Sequence, residues 1–356
     1  MRRDAVTIRA HARRDDRHEC VTTSASLPIL DLSRLDRSEA EAAAFLADLR
    51  EATHDYGFFY LTGHGIPVEL QNDIISTARA FFALPEEAKL AIENVKSPHF
   101  RGYTRVGGEL TQGKTDWREQ IDIGPERAAV AKGPDVPGYW VLEGPNQWPD
   151  ALPELRAVAR RWEDSLSQLS LRLMRAWAQS LGAAPDVFDA GFATNPSTLI
   201  KIVRYPGKPD VASRQGVGSH KDFGVLTLLW VEDGKAGLQV ERDGEWIDAP
   251  PVPGAFIVNI GELLEVATNG YLKATVHRVV SPEPGDDRIS VPFFYGPALD
   301  AAIPPISLPP ELRDQARGVT ADPNNPLYPT YGENSLKSRL RAHPDVTAIH
   351  HPELVR

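Results

Sequence analysis

The stretch GSHKD, residues 218–222, begins the part of the chain that decides its fold. It places His220 and Asp222 with one residue between them. The segment TVHRV at residues 275–279 adds His277, with fifty-four residues between Asp222 and His277. Residues i and i+2 of a β-strand point to the same face, so the imidazole and the carboxylate can reach one ion together. A second strand that brings His277 alongside would complete a set of two imidazoles and one carboxylate.

That set occupies one face of an octahedral metal ion and leaves up to three positions open, which is typical of non-haem Fe(II) oxygenases. A lone H-x-D pair recurs by chance, but this chain adds an R-x-S pattern, Arg288 and Ser290, with ten residues between the second histidine and the arginine. Arginine binds a carboxylate through a planar fork of donors, which lysine cannot reproduce.

The sequence predicts strands in the segments between and after these motifs, at residues 225–231, 238–241, 255–259 and 290–294.

The sequence around these motifs resembles the isopenicillin N synthase-like branch of the Fe(II)/2-oxoglutarate oxygenases. The matching text is SHKDFGVLTLLWVEDGKAGLQV (219–240), NIGELLEVATNGYLKATVHRVVSP (259–282) and DRISVPFFYGP (287–297). The resemblance runs from about residue 27 to residue 351. It implies a mainly β fold with flanking α-helices, in which a double-stranded β-helix, or jelly-roll, is braced by helices.

The resemblance also implies an activity and a set of site residues. The enzyme would be a dioxygenase that uses Fe(II), 2-oxoglutarate and O2 to oxidise a small molecule, most often by hydroxylation, with release of succinate and CO2. Fe(II) would be bound by His220, Asp222 and His277. The co-substrate 2-oxoglutarate would be bound by Arg288, Ser290 and Tyr205. Tyr205, in TLIKIVRYP (198–206), matches the tyrosine that ends the aligned strand in the family. In that strand Val203 stands where many plant members have asparagine, and Arg204 also occurs in isopenicillin N synthases.

The chain divides into five predicted segments with no linker between independent domains. They are a mobile tail (1–26), a region of helices and strands packed on the barrel (27–125), a connection with a long helix (126–195), the jelly-roll (196–300), and a proline-rich segment with a helix (301–356).

Residues 97–123 lack regular periodicity and are rich in glycine, arginine and aromatic residues. We expect this segment to line the mouth of the active site and to become ordered when substrate binds. It resembles the segment over the pocket in bacterial members, including ethylene-forming enzymes, which implies that Glu109 contacts substrate. The alternative is that its cations are solvated, namely Arg101, Arg105, Lys114 and Arg118.

Several other residues invite a functional interpretation. His64, between two glycines, is expected to be a turn or packing histidine, and His99 is not expected to bind metal. The C-terminal histidines, whose charged surroundings favour solvated side chains, are His343, His350 and His351. Apolar side chains expected to line the site, with core packing as the alternative, are Leu226, Leu228, Phe256 and Phe294.

Composition narrows the functional classes. The formal net charge of -10 disfavours a nucleic-acid binder, and one cysteine, Cys20, excludes a disulfide within the chain. No apolar run approaches the length of a transmembrane helix, so no membrane partner is expected. We expect a cytoplasmic enzyme, either a monomer or a small homo-oligomer.

Three alternatives remain open. The chain resembles isopenicillin N synthase enough to be an Fe(II) oxidase that does not use 2-oxoglutarate, or to have an activity like that of ethylene-forming enzymes. The third alternative is of another class, a jelly-roll binding protein with a vestigial site, and the complete set of motifs argues against it.

For Arg288 alone, the alternative to binding 2-oxoglutarate is a surface ion pair with Asp286 or Asp287.

Overall fold

The computed structural model describes residues 26–207, 215–319 and 325–354. The expected mobile tail over residues 1–26 lies outside the described residues apart from Ser26, and so does Cys20. The strands are β1 (Ile29–Asp31), β2 (Phe58–Thr62), β3 (Gly102–Thr104), β4 (Leu110–Thr111), β5 (Lys114–Thr115), β6 (Glu119–Ile123), β7 (Ser197–Pro206), β8 (Gln215–His220), β9 (Leu226–Val231), β10 (Leu238–Arg242), β11 (Glu245–Asp248), β12 (Phe256–Ile260), β13 (His277–Val280) and β14 (Asp287–Gly296).

Helices flank these strands. The α-helices are α1 (Glu39–Asp55), α2 (Val68–Phe82), α3 (Glu86–Leu90), α4 (Glu154–Ser180), α5 (Asp189–Phe192), α6 (Glu262–Ala267), α7 (Pro310–Arg313), α8 (Tyr331–Ala342) and α9 (Pro344–His350). Short 3-10 helices occupy Leu32–Asp36, Asn94–Lys96, Gly138–Leu142 and Pro352–Leu354. In the described parts of the chain, no helix combines the length and the apolar character needed to span a membrane.

Two sheets form the core of the fold. The larger has the strand order β1-β2-β12-β9-β14-β7-β6-β3, and the smaller has the order β11-β10-β13-β8. From β8 onward the chain alternates between them, because β8, β10 and β13 belong to the small sheet and β9, β12 and β14 to the large one. This alternation is the jelly-roll arrangement. The predicted mainly β fold with a double-stranded β-helix and flanking helices is confirmed.

Strand β14 shows how the sequence separates the two faces of the large sheet. Successive side chains of a strand point to opposite faces. The odd-numbered apolar residues Ile289, Val291 and Phe293 pack in the large hydrophobic core together with helices α1, α2 and α4. Arg288, Ser290, Pro292 and Phe294 instead line a cavity on the other face. Arg288 and Ser290 are thereby directed into the space between the sheets.

Helix α4 braces the large sheet, as the sequence predicts. Its stripe of apolar residues at three- and four-residue spacing is buried, and Trp162 and Leu166 have no exposed surface. Burying one large apolar side chain stabilises a fold by about 1.5–3 kcal/mol. The helix therefore holds the sheet rigid from the side opposite to the cavity.

Three of the four apolar residues expected to line the site face the helices instead. Leu226, Leu228 and Phe256 lie in the core with α4, and only Phe294 lines the cavity. The expectation was wrong for these three because alternate residues of β9 and β12 face opposite sides of the sheet. A continuous apolar run does not reveal which set faces inward.

Residues 97–123 are more regular than the sequence indicated. Strands β3 and β6 pair with each other, and β6 pairs with β7, so both belong to the edge of the large sheet. Between them, β4 and β5 form a separate two-stranded hairpin. Only the part around this hairpin resembles the irregular segment that the sequence predicted.

The expectation that the three C-terminal histidines are solvated is wrong. His343 and His351 are buried, and His350 is partly buried. His351 Nε2 lies 2.6 Å from the Pro98 carbonyl oxygen, and His350 Nε2 lies 2.7 Å from that of Val95. These contacts hold the C-terminal helices against the segment that precedes β3.

Candidate active site

Three potential metal ligands converge at the end of the small sheet. Strands β8 and β13 pair so that His220 and His277 are direct partners. Asp222 lies two residues beyond the end of β8 rather than on the strand, which corrects the expected strand geometry. One ligand atom from each of the three side chains lies within 4.8 Å of the others. Among the described residues, no other group of histidine, cysteine, aspartate and glutamate side chains has this geometry.

Hydrogen bonds fix the orientation of each ligand. The Nδ1–H groups of His220 and His277 donate to the carbonyl oxygens of Gly218 and Thr275, at 2.8 and 3.0 Å. Each ring therefore presents its Nε2 lone pair to the centre.

Asp222 is held from one side by two polar residues of the large sheet. Its Oδ2 accepts hydrogen bonds from Thr227 Oγ1 at 2.6 Å and from Asn259 Nδ2 at 2.8 Å. Its Oδ1 remains directed at the histidines, 3.6 Å from His220 Nε2 and 3.8 Å from His277 Nε2. The sequence did not single out Thr227 or Asn259. Their inward position on β9 and β12, among apolar residues, is the signal that could have found them.

The protonation states favour a divalent metal. Burial, aided by the neighbouring His277, lowers the pKa of His220 to about 4. Burial alone would raise the pKa of Asp222, but the two histidines and its hydrogen bonds outweigh it and hold that pKa below its ordinary value. Near neutral pH His220 is neutral and Asp222 is a carboxylate, which are the forms that bind metal ions. Two imidazoles and one carboxylate on one face suit Fe(II) and leave other coordination positions open.

Arg288 is a buried cation in the same cavity. It is 1% exposed, donates from Nη1 to Ser290 Oγ at 3.2 Å and from Nε to the Lys235 carbonyl at 3.3 Å. Its guanidinium carbon lies 5.0 Å from the centroid of the Tyr205 ring. No carboxylate of the described residues forms an ion pair with it, and burial lowers its pKa.

The structural alternative for Arg288 is wrong. Asp286 forms its ion pair with Lys235, and Asp287 pairs with Arg79 and Arg204. Arg288 points to the opposite face of the sheet from Asp287, its neighbour in the strand. A buried guanidinium without an acidic partner is costly unless an anion binds to it.

One cavity of about 960 Å³ joins these features. Its lining contains the three potential metal ligands and, in addition, Arg288, Ser290 and Tyr205. Apolar side chains on its walls include Leu229, Pro292 and Phe294. The arrangement provides a metal-binding end, an anion-binding end and space for a further small molecule.

The rest of the cavity is strongly charged. Glu109, Arg118 and Lys201 are buried in its wall, and Lys337, Arg339 and Arg341 reach it from α8. Of the four cations considered in residues 97–123, Arg101 and Arg118 are buried, whereas Arg105 and Lys114 are exposed. The sequence did not identify Lys201 or the residues of α8, because their partners lie far away along the chain.

The histidines set aside from the sequence do not take part in this centre. His64 Nε2 lies 3.1 Å from the Gly254 carbonyl, and its Nδ1 accepts from the Ile66 amide, so the turn-and-packing interpretation is confirmed. His99 Nδ1 lies 2.8 Å from the Val141 carbonyl. Neither belongs to the group of potential metal ligands.

Comparisons with known proteins agree with this geometry. A family described as the non-haem dioxygenase in morphine synthesis N-terminal matches residues 27–151, and the 2OG-Fe(II) oxygenase superfamily matches residues 196–297. A homoarginine-6-hydroxylase of Arabidopsis thaliana is 35% identical, over 82% of this chain and 91% of its own length.

Solved structures have the same fold. JOX2 in complex with 2OG, Fe and JA gives a TM-score of 0.69 at 31% identity, with 88% of this chain and 85% of that one covered. A 2OG-Fe(II) oxygenase family protein from Caulobacter crescentus, described as putative, also gives 0.69, at 30% identity and with 90% and 99% covered. The 2-oxoglutarate-dependent dioxygenase frbJ of Dothideomycetidae sp. (strain 11243) is 38% identical over 90% of each chain. With similarity of this extent, the chain belongs to the 2OG-Fe(II) oxygenase superfamily and is a 2-oxoglutarate-dependent dioxygenase.

Proposed function

We propose that His220, Asp222 and His277 bind the Fe(II) of this dioxygenase. The observation that carries the proposal is the convergence of three oriented ligand atoms in one cavity with a buried arginine that has no acidic partner among the described residues. The carbonyls that accept from the two Nδ1–H groups keep both Nε2 atoms aimed at the metal position. Thr227 and Asn259 restrain Asp222 so that one carboxylate oxygen stays free for coordination.

Arg288, Ser290 and Tyr205 are the proposed binding residues for 2-oxoglutarate. The C5 carboxylate would accept from the Arg288 guanidinium, whose orientation is fixed by Ser290 and by the Tyr205 ring. The keto acid end would then lie toward the metal position. Because Arg288 is buried, this contact is shielded from water and is correspondingly strong.

When bound, Fe(II), 2-oxoglutarate and O2 supply the oxidising chemistry, in which 2-oxoglutarate becomes succinate and CO2 and one oxygen atom enters a substrate C–H bond. The protein's own residues orient the reactants and exclude water. Leu229, Pro292 and Phe294 supply apolar surface on the cavity wall for the second task. Glu109 is proposed to contribute to the substrate end of the cavity.

The substrate is a small molecule, and L-homoarginine is the first compound to test, because relatives with 35% or more identity carry the name homoarginine-6-hydroxylase. We place the enzyme in the isopenicillin N synthase-like branch and, on the character of residues 97–123, near its bacterial members. Its acidic charge supports an enzyme without a nucleic-acid partner. A cytoplasmic monomer or small homo-oligomer remains the proposed state.

The test is Fe(II)-dependent formation of succinate from 2-oxoglutarate, measured together with O2 uptake. The proposal predicts succinate in the presence of both Fe(II) and 2-oxoglutarate, at a higher rate when a substrate is added. O2 uptake with a substrate that needs no 2-oxoglutarate and yields no succinate would contradict it.

A further inference from the structure

The substrate end of the cavity presents more positive than negative charge. Asp222 and Arg288 are assigned to the metal and to 2-oxoglutarate in the proposed function, on which this inference rests. The remaining acidic residues of the lining are Glu109 and Glu262. The remaining basic residues are Arg118, Lys201, Lys221, Lys337, Arg339 and Arg341.

Two of the balancing carboxylates lie behind the cavity wall. Asp116 and Asp122 are 0% and 2% exposed, and neither lines the cavity. Arg118 Nη2 lies 3.2 Å from Asp116 Oδ2, and Arg339 Nη1 lies 2.5 Å from Asp122 Oδ2. The two guanidiniums therefore stand between these acids and the cavity, which gives the cavity a positive wall.

Arg118 and Arg339 each have N–H groups without a hydrogen-bond partner among the described residues. Within the described ranges, Arg118 bonds only through Nη2, and its buried Nε has no partner. Arg118 is 8% exposed, so water cannot freely satisfy its remaining N–H groups. Arg339 has a single ion-pair partner among the same residues, Asp122. Arginine carries five N–H donors, and unpaired buried donors favour the binding of an oxyanion.

Glu109 is not an open acceptor in this arrangement. Its Oε1 lies 2.8 Å from Lys201 Nζ, and its Oε2 lies 2.9 Å from Arg118 Nη2. Both oxygens already accept from cations, so Glu109 acts as a positioning residue that orients Arg118 and Lys201. The groups of the cavity wall that remain available for hydrogen bonding are therefore N–H donors. A ligand that binds there must supply hydrogen-bond acceptors.

Arg118 is also connected to the metal-binding end. Asp116, which accepts from Arg118, accepts from the Gly218 amide at 3.1 Å as well. The Gly218 carbonyl in turn accepts from His220 Nδ1. A group bound to Arg118 is thus held at a fixed position relative to the reacting centre.

We infer that Arg118 and Arg339 bind a carboxylate of the primary substrate, so that the enzyme acts on anionic or zwitterionic small molecules. Three of the cavity's guanidiniums then have two tasks: Arg288 binds the co-substrate, and Arg118 and Arg339 bind the substrate. This assignment predicts that removing the substrate carboxylate weakens substrate recognition while leaving the binding of 2-oxoglutarate intact.

The first experiment compares small carboxylic acids with their primary amides, beginning with L-homoarginine and L-homoargininamide. Wild-type enzyme with Fe(II) and 2-oxoglutarate is assayed for succinate formation with each compound. The best acid should accelerate succinate formation at least about tenfold more than its amide, the loss expected for one charge-assisted contact. If wild-type enzyme forms succinate but no acid in the panel exceeds its amide, including a panel without any stimulation above the basal rate, the inference is overturned.

The second experiment uses Arg118→Gln and Arg339→Gln, with Arg161→Gln as the control on exposed surface. Each of the first two should raise KM for the best acid by about tenfold to a hundredfold and weaken its binding to the metal-free protein by calorimetry. Arg118→Lys and Arg339→Lys should recover part of the loss. Unchanged KM and affinity in both glutamine variants overturn the inference. Failure of the proposed function is distinct, because wild-type enzyme would then form no succinate with any compound.

Discussion

Arg288 on β14 and Tyr205 on β7 are direct cross-strand partners, and the guanidinium carbon lies 5.0 Å from the centroid of the tyrosine ring. The ring and the Ser290 hydroxyl fix the guanidinium in a place with 1% exposure. The adjacent acidic residues, Asp286 and Asp287, form ion pairs with other cations. The Arg288 guanidinium is therefore suited to bind an anion from outside the chain. This relationship supports the co-substrate site more strongly than the R-x-S pattern alone.

Arg288→Ala should raise KM for 2-oxoglutarate by about a hundredfold or more. Removing one partner of a buried charge pair costs roughly 3–5 kcal/mol, because the carboxylate is left unpaired. Arg288→Lys should restore only part of this, since an ammonium lacks the fork of donors. The measurement is the saturation curve of succinate formation.

Arg204→Lys is the matched control, because Arg204 lies on β7 but pairs with Glu119 and Asp287 and does not line the cavity. It should leave KM for 2-oxoglutarate close to wild type. A 2-oxo acid without the distal carboxylate should lose its disadvantage in Arg288→Ala. Unchanged 2-oxoglutarate saturation in Arg288→Ala would remove the arginine from the site.

His343 should make the protein less stable in mild acid. Burial lowers the pKa of His343 from its ordinary value of 6.5 to about 4. Between these values the unfolded chain binds more protons than the folded one, so stability falls as the pH drops through that window and is fully present above it. The expected loss from this residue between pH 7 and pH 5 is about 2 kcal/mol. His343→Gln should reduce the measured pH dependence of the unfolding free energy by that amount, whereas Arg161→Gln should retain it.

The segment around the β4–β5 hairpin should become more protected when substrate binds. Glu109, Leu110 and Thr111 line the cavity, and β5 is exposed. Hydrogen exchange would be compared with Mn(II) and 2-oxoglutarate in the presence and absence of a compound that stimulates succinate formation. Amides of residues 110–115 should slow, while the fully buried Ile121 on β6 serves as the unchanged reference. Equal exchange in both states would exclude ordering of this segment.

Trp162→Ala on α4 should destabilise the fold by about 3–5 kcal/mol, because it removes a fully buried indole and leaves a cavity against the large sheet. Urea denaturation measures the change. Arg161→Gln, its exposed neighbour, should shift stability by less than about 0.5 kcal/mol. A Trp162→Ala variant as stable as wild type would show that α4 does not brace the sheet.

The sequence predicted the elements more reliably than the direction of their side chains. Period-two alternation in β14 was readable because Arg288 and Ser290 mark one face among apolar residues. The apolar run of β9 carries few such markers, and the expectation that Leu226 and Leu228 line the site was wrong. In a buried strand, the face to which each side chain points depends on which elements pack against the sheet. Those elements come from elsewhere in the chain, so the local sequence does not reveal them.

The candidate site was predictable where its residues are close in sequence or follow a fixed pattern. His220, Asp222 and His277 do converge, although Asp222 lies beyond the strand. The charged wall was not predictable, since Lys201 and Arg339 meet Asp122 only after the chain has folded. The same holds for the buried histidines of the C-terminal helices, whose local surroundings are polar.

The most direct test of the central claim is Fe(II) binding measured anaerobically by calorimetry. Wild-type protein should bind one Fe(II), and alanine in place of His220, Asp222 or His277 should abolish this binding with the fold retained in circular dichroism. His64→Ala, a histidine packed outside the centre, is the control that should bind as wild type. If any of the three variants binds Fe(II) like wild type, that residue is not a ligand and the proposed metal centre is contradicted.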